Sequence, residues 1–408
     1  MNTLLIHQAF VLPGEPGGTR HFELARHAVE QGEKFTVVAS ERSYLTGTQV
    51  TGADSKLDRE QYVDGVHIVR AYTYPSLHSG FVWRVISFLS FMLASIWSAL
   101  RAGPIDLVMG TSPPIFQAFS AWLVAAIRRK PLLLEVRDLW PEFAIDMGIL
   151  RNPLLIRMSR WLEGFLYARA THILVNSPAY RDYVIAKGIA PEKVTLIPNG
   201  VDPSMFNPDS TGESVKERWD LQGKFVLTYA GALGMANDIP TIITAAEQLK
   251  EHENLRFLLV GDGMKRKELE EMVAQKELKN IIFTGVVPKD EMVDILAASD
   301  VCLATLQDIP MFKTTYPNKV FDYMAAGRPT ILGIDGVIRK VIDDAEGGLF
   351  VQPGNSEDLA TAALQLANDQ ESAKEMGRNA RCYVVENFNR ADQSAQFVKL
   401  LTQIFMAS

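Results

Sequence analysis

The sequence predicts an α/β protein of two doubly wound, parallel-sheet domains. Three observations carry that prediction. At 408 residues the chain exceeds a single hydrophobic core. Short apolar runs alternate with helical patterns, the order of βαβ units. Strand after strand ends in a glycine-bearing loop, on both sides of a Pro-Asn-Gly connector at 198–200.

In chain order, Leu4 to Ile6 reads as the first strand, followed by a polar His7-Gln8 and a second apolar patch, Phe10 to Leu12. Gly17-Gly18, ahead of a helix expected from Thr19 to Gln31, would let backbone approach a ligand at the positive helix end. A plain surface turn has the same composition. Phe35 to Ala39 is the next strand. Residues 41–60 lack periodicity and read as a polar loop able to cover an acceptor.

After a strand at His67 to Ala71 comes the longest apolar run, Val85 to Leu100, sixteen residues between Arg84 and Arg101. It falls short of the ~20 residues that span a bilayer. It therefore reads either as a buried helix or as one lying on a membrane, with Trp83, Trp97 and the arginines at the interface. Ile115 to Ile127, then Arg128-Arg129-Lys130, repeats the apolar-then-basic pattern, so contact with a membrane surface is expected through 81–101 and 115–130. Serine at Phe88 and Phe91 would separate the readings, by release from vesicles or by unfolding.

A strand at Ile105 to Met109 leads into Gly110 to Pro114, and Leu132 to Val136 leads into Arg137-Asp138. A charged pair at the carboxyl end of a buried strand is where open α/β sheets place ligands; an Arg–Asp pair tying down a loop fits equally. Ile173 to Asn176 and Val194 to Ile197 close the first domain, expected over 1–200.

The pattern then restarts for a second domain, 201–390. Phe225 to Tyr229 ends at Gly231, Arg256 to Val260 at Gly261 and Gly263, and Ile281 to Thr284 at Gly285-Val286-Val287. Val301 to Leu306 precedes TTYPNKVFDYMAAGRPT, Thr314 to Thr330. Pro317 and Gly327 bound a helix there. On it Val320, Phe321 and Met324 share one face, Lys319 and Asp322 the other. The helix end and Lys319 suit a phosphate, and Asp322 suits ribose hydroxyls. A surface ion pair between the two is the competing reading.

Composition narrows the chemistry. A net charge of −7 argues against nucleic-acid binding, although residues 1–203 carry 20 Lys and Arg against 18 Asp and Glu. Two cysteines, Cys302 and Cys382, and an N-terminus without a basic leader fit a reducing cytosol. No GxxxxGK[ST], HExxH, CxxC or Asp-x-Asp occurs.

The order of these pieces resembles glycosyltransferase family 4. The motifs are the Gly17-Gly18 loop, IPNGVD at Ile197 to Asp202, YAG at Tyr229 to Gly231, VGDG at Val260 to Gly263 and NKVFDYMAAGRP at Asn318 to Pro329. RDLWPE at Arg137 to Glu142 and the KTTYPNK loop look most like the bacterial surface-polysaccharide N-acetyl-L-fucosamine transferases. The resemblance implies a GT-B fold, two Rossmann-like domains facing a cleft, with a last helix near 391–408 returning to the first domain. It implies a retaining, metal-independent enzyme with no cofactor. Such an enzyme moves a sugar from a UDP-sugar to a polyprenyl-diphosphate-linked saccharide, peripherally, on the cytoplasmic face of the inner membrane. Asp138, Arg137 and Lys319 would be catalytic. Gly17, Gly18, Gly231, Gly261, Gly263, Val287, Thr314, Thr315, Asn318, Lys319 and Asp322 would hold the donor.

Departures from the family pattern are equally clear. Thr314 stands where the first of two glutamates is expected, Asp322 where the second is, and Ala232 and Asn237 near the places of a phosphate-binding Arg and Lys. The expectation is relocated charge, on Lys319 and Arg137, with Lys313 or Arg20 in support. A non-catalytic nucleotide-sugar binder and a UDP-sugar epimerase of similar build are the alternatives.

Overall fold

The computed structural model describes all residues except 14, 16, 44–46, 51–59 and 76–80, together with the side chains at 81, 289 and 290. The chain forms two compact units, Met1–Pro198 with Ala391–Ser408, and Asn199–Arg390.

In the first unit the strands are β1 (Asn2–Ile6), β2 (Lys34–Ser40), β3 (Glu60–Val63), β4 (Val66–Ala71), β5 (Leu107–Ser112), β6 (Leu132–Val136), β7 (His172–Val175) and β8 (Val194–Leu196). They lie in the order β3-β4-β2-β1-β5-β6-β7-β8. All pairs are parallel except β3–β4, where Gln61 opposes Ile68. Leu5 on β1 registers with Val37 on one side and Met109 on the other. Strands buried on both faces need continuous apolar runs, which is why LLI, VVA and LVM were readable. The order reverses between β1 and β5, opening a switch point at their carboxyl ends.

Helix α1 (Arg20–Glu30) packs Phe22, Leu24 and Ala25 on this sheet, and the same core takes Phe397, Leu400, Leu401 and Ile404 of the last helix. Two further helices, α2 (Phe81–Arg101) and α3 (Ile115–Arg128), pack against each other, and α4 (Pro153–Arg169) is capped by Asn152, whose side chain accepts from the Leu154 and Leu155 amides.

Three expectations change here. The apolar run of 85–100 is only the centre of a 21-residue helix, because Phe81 to Arg84 and Arg101 continue it. By length and composition α2 is long and apolar enough to cross a bilayer, and most of it is not buried. Phe91 is fully buried, so serine there would damage the core, whereas Phe88 is partly exposed. Glu60, read as loop, begins the antiparallel edge strand; most of the expected 41–60 loop lies outside the described residues. Finally, β5 runs through Ser112 instead of stopping at Met109, because Val108 to Ser112 pair with Leu132 to Val136.

In the second unit the strands are β9 (Phe225–Ala230), β10 (Leu255–Val260), β11 (Ile281–Gly285), β12 (Val301–Thr305), β13 (Thr330–Gly333) and β14 (Gly348–Phe350), in the parallel order β11-β10-β9-β12-β13-β14. Numbered within the sheet this is 3-2-1-4-5-6, the doubly wound dinucleotide-fold order, with its switch point between β9 and β12. Helix α5 (Asn318–Ala325) buries Val320, Phe321 and Met324. Phe321 meets Phe388 at 4.8 Å between ring centres.

Candidate active site

In the second unit, side chains converge at the switch point of the sheet. Tyr323 on α5 donates its hydroxyl to the Ala230 carbonyl at 3.2 Å and accepts the Ala230 amide at 2.8 Å. These two bonds tie the helix to the end of β9 and set the height of Lys319. Its ammonium lies 3.9 Å from the centre of the Tyr229 ring and 3.4 Å from Asn237 Oδ1. Thr305 at the end of β12 donates to the Asn237 carbonyl at 2.7 Å, fixing that partner. No carboxylate is paired with Lys319 among the described residues, and burial lowers its ammonium to about 7.

The surface ion pair is therefore not how Lys319 is used: the side chain turns back over the sheet. Asn318 is exposed at the start of α5, and Asp322 is partly exposed one turn on. Thr314 and Thr315 bond back to the Met311 and Phe312 carbonyls at 2.6 and 3.0 Å, closing a 3₁₀ turn. Val287 is partly buried against the core.

The glycine loops of this unit pack closely on one another. Gly231 has φ 150° and Gly261 φ 130°. A Cβ on Gly231 would meet Lys319 Nζ at 2.8 Å, and one on Gly261 would lie 2.0 Å from the Gly231 oxygen. Gly263 packs as tightly on the Leu233 carbonyl. The Gly231 amide bonds Val260 O and the Gly261 amide bonds Gly285 O, each at 2.9 Å. These two amides extend the sheet pairing, and the glycines permit loop-on-loop packing and closeness to Lys319.

In the first unit Gly17 (φ 132°) and Gly18 are exposed just before α1. Beneath the carboxyl ends of β1, β5 and β6 lies a buried polar network. Glu135, inside β6, is fully buried and bonded to Arg20 at 3.3 Å and to His21. Burial pushes its carboxyl up, but His21, Arg20 and Arg137 outweigh that and hold it at about 2. Arg20 also donates to the Ile197 and Pro198 carbonyls at 2.8 and 2.6 Å. Arg20 is thus a structural tie, and Lys313 is engaged by Asp308 and Asp335 at 3.5 and 3.8 Å. Both of the cations expected in support are thus engaged within the protein.

His7 connects this network to Arg137, whose guanidinium lies 3.3 Å from His7 Nε2, while Nδ1 lies 3.1 Å from Thr111 Oγ1. A guanidinium only donates, so Nε2 must accept and Nδ1–H must donate to Thr111. Burial, then His21 and Arg137, keep His7 neutral, well below the usual histidine range. Gln117 completes the shell, donating to Thr111 at 2.6 Å and accepting the Gln8 amide at 2.6 Å.

Asp138 receives the Tyr180 hydroxyl at 3.4 Å. Burial raises it to about 6 against the opposing pull of Arg137 and Tyr180. A carboxylate ionised at neutral pH yet more basic than usual is suited to accept a proton. Among the described residues, no group of three or more His, Cys, Asp or Glu is arranged to hold a metal ion.

The sequence reading named Arg137, Asp138 and Lys319 but missed His7, His21, Glu135, Tyr180 and Tyr229. One signal was present: Glu135 sits inside LLLEV, and a carboxylate in a fully buried strand requires a buried cation.

Comparisons agree with this architecture. A family described as "Glycosyl transferase 4-like domain" matches residues 17–200, and "Glycosyl transferases group 1" matches 213–382. The chain belongs to the glycosyltransferases of this family-4 type. It is 25% identical over 309 residues to sulfoquinovosyl transferase SQD2 of Arabidopsis thaliana, covering 74% of this chain and 57% of that protein. It is 27% identical over 273 residues to the probable glycosyltransferase WbjE of Pseudomonas aeruginosa, covering 66% and 68%. A third relative, the putative colanic acid biosynthesis glycosyl transferase WcaI of Escherichia coli, is 24% identical over 63% of this chain and 62% of that one. The chain thus spans between 57% and 68% of the length of these relatives. Among solved structures, sucrose-phosphate synthase from Thermosynechococcus elongatus aligns with a TM-score of 0.80 at 18% identity over 100% of both chains. Anabaena HepE in complex with UDP-glucose aligns at 0.73 and 18%, over 99% of this chain and 100% of that one. The shared fold is GT-B.

Proposed function

We propose that this enzyme is a retaining, metal-independent transferase that moves a sugar from a UDP-sugar to a saccharide carried on polyprenyl diphosphate. The sugar is an N-acetylhexosamine or a deoxy-amino sugar, as the likeness of RDLWPE and KTTYPNK to N-acetyl-L-fucosamine transferases suggests. The observation that carries the reading is Lys319, a half-buried cation with no carboxylate partner among the described residues, at the carboxyl end of β9. A leaving diphosphate gains negative charge as the glycosidic bond breaks, and one positioned charge-assisted donor is worth ~10²–10³ in rate. HepE, of the same fold, is described in complex with UDP and with UDP-glucose, which supports the donor class.

In this reading the second domain holds the donor: Lys319 and Asn318 the diphosphate, Asp322 the ribose, and the 285–287 loop the base. The first domain holds the acceptor, with Asp138 accepting or orienting the hydroxyl proton and Arg137 beside it. Retention needs no protein nucleophile, because the departing phosphate oxygen can take the acceptor proton on the same face. Colanic acid synthesis in the name of WcaI supports a place in surface-polysaccharide assembly, such as O-antigen or capsule, at the cytoplasmic face of the inner membrane. The test is UDP release from a UDP-sugar with and without a lipid-linked saccharide. Release only with acceptor supports the transferase; product from UDP-sugar alone would select the epimerase.

A further inference from the structure

Helix α2 carries two opposed ridges. Ser87, Phe91, Ser95 and Ala99 are buried, while Leu89, Leu93, Trp97 and Arg101, offset by two positions, are exposed. Leu93 and Trp97 are each 65% exposed. Helix α4 does the same: Leu154, Met158 and Trp161 follow one another at helical spacing and are 64%, 56% and 67% exposed.

Aromatic contacts join the helices into one face. Phe88 of α2 stacks on Phe116 of α3 at 6.2 Å, and Trp122 of α3 meets Phe165 of α4 edge-on at 4.8 Å. Trp161 stacks on Phe165 at 5.5 Å. Single exposed hydrophobics are ordinary, but exposed apolar rows on helices linked to one another through aromatic contacts mark a docking surface.

Charge identifies what docks. Segments 81–101, 115–130 and 149–169 hold nine Lys and Arg and a single carboxylate, Glu163, in a chain of net charge −7; one of the nine, Arg160, is paired at 2.8 Å with Glu142 just outside them. Glu163 is buried against Lys187 at 3.1 Å. Arg101 and Arg169 lie over the rings of Trp97 and Phe165 at 5.4 and 5.6 Å, the arrangement of an interfacial rim. A second copy would set like charge against like, and nucleic acid gains nothing from exposed Leu and Met. An anionic lipid surface satisfies both the cations and the apolar centre.

We propose that α2, α3 and α4 together seat the first domain on an anionic bilayer, with α4 as a contacting element that the apolar runs of the sequence did not disclose. Helix α2 lies in the interface and does not cross, since crossing would strip Phe91 and its neighbours from the sheet they cover. The proposal rests on the membrane-bound acceptor in the function proposed above.

The test uses the full chain and vesicles of phosphatidylcholine, alone or with about one-third phosphatidylglycerol. Wild type should partition at least tenfold better onto the anionic vesicles. The variant Leu154→Ser, Met158→Ser, Trp161→Ser should lose at least tenfold of that binding, and so should Arg151→Gln, Arg157→Gln, Arg169→Gln. UDP affinity, read by calorimetry on the same samples, should be unchanged; its absence in wild type would sink the proposed function and leave the surface untouched. Should the apolar variant misfold, quenching of wild-type tryptophan emission by brominated lipid, reduced in Trp161→Phe, reads α4 directly. Equal binding to both vesicles, unaltered quenching in Trp161→Phe, or a solution dimer that the apolar variant dissociates would overturn the proposal.

Discussion

Lys319 Nζ lies 3.9 Å from the centre of the Tyr229 ring. A cation over an aromatic face is attracted by the ring's quadrupole, worth up to ~2 kcal/mol when desolvated, less than full hydration supplies. The ammonium is accordingly left near its titration point, about 7, by burial. An arriving diphosphate provides the missing partner and should drive protonation to completion. Calorimetry at pH 7 in buffers of different ionisation enthalpy should therefore show more proton uptake on UDP binding by the wild type than by Lys319→Ala. Equal uptake by the two would mean that Lys319 does not face the phosphates.

The Lys319 charge should also be expressed in rate. Lys319→Ala should lower turnover at least tenfold with the thermal midpoint kept within a few degrees, because removing a buried charge also removes a desolvation cost. Near-normal turnover would discard the assignment.

Two opposed shifts should shape the pH profile. Asp138 works deprotonated and is raised to about 6, so kcat/KM should fall as pH drops below about 6. Lys319 works protonated and is lowered to about 7, so kcat/KM should fall again above about 7 in the free enzyme. Steady-state kinetics should give this narrow bell, and Asp138→Asn should remove its acid limb along with most activity. A flat profile from pH 5 to 8 would contradict both roles.

Asp322→Ala should weaken UDP binding while sparing that of inorganic pyrophosphate, if its carboxylate holds ribose hydroxyls. Equal loss for both ligands would count against that role; calorimetry reads it.

Glu135 predicts an acid limit to the fold. Its carboxyl is held at about 2, below the ordinary 4.5. The stability it contributes is present above pH 4.5 and is lost as pH falls through that range toward 2. Glu135→Gln should flatten the dependence of the thermal midpoint on pH over that window, as circular dichroism would show. An unaltered slope would mean that the Arg20–His21–Glu135 cluster is not ionised as described.

The strands themselves were legible because parallel strands buried on both faces leave apolar runs that begin and end at glycine or polar punctuation. LLI, FTVVA and LLLEV were found for that reason. Less was visible where the signal is tertiary. The four-residue edge strand Glu60–Val63 and the three-residue Gly348–Phe350 are too short to show a period. Helix α4 escaped because its exposed Leu, Met and Trp alternate with arginine and lower the local hydropathy. Lys319 was singled out from its spacing to Asp322, yet its real partners, Tyr229 and Asn237, are 90 and 82 residues away. His7 meets Arg137, and Arg20 and His21 meet Glu135, only once β1 and α1 are brought together with β6, a juxtaposition that no local pattern encodes.

The central claim is that fixed positive charge on Lys319, in place of a bound cation, supports departure of the diphosphate. Acceptor-dependent UDP release measured in excess chelator tests it most directly. Undiminished release by the wild type, with at least a tenfold loss in Lys319→Ala under the same conditions, is the predicted result. Release abolished by chelator and restored by magnesium would contradict it.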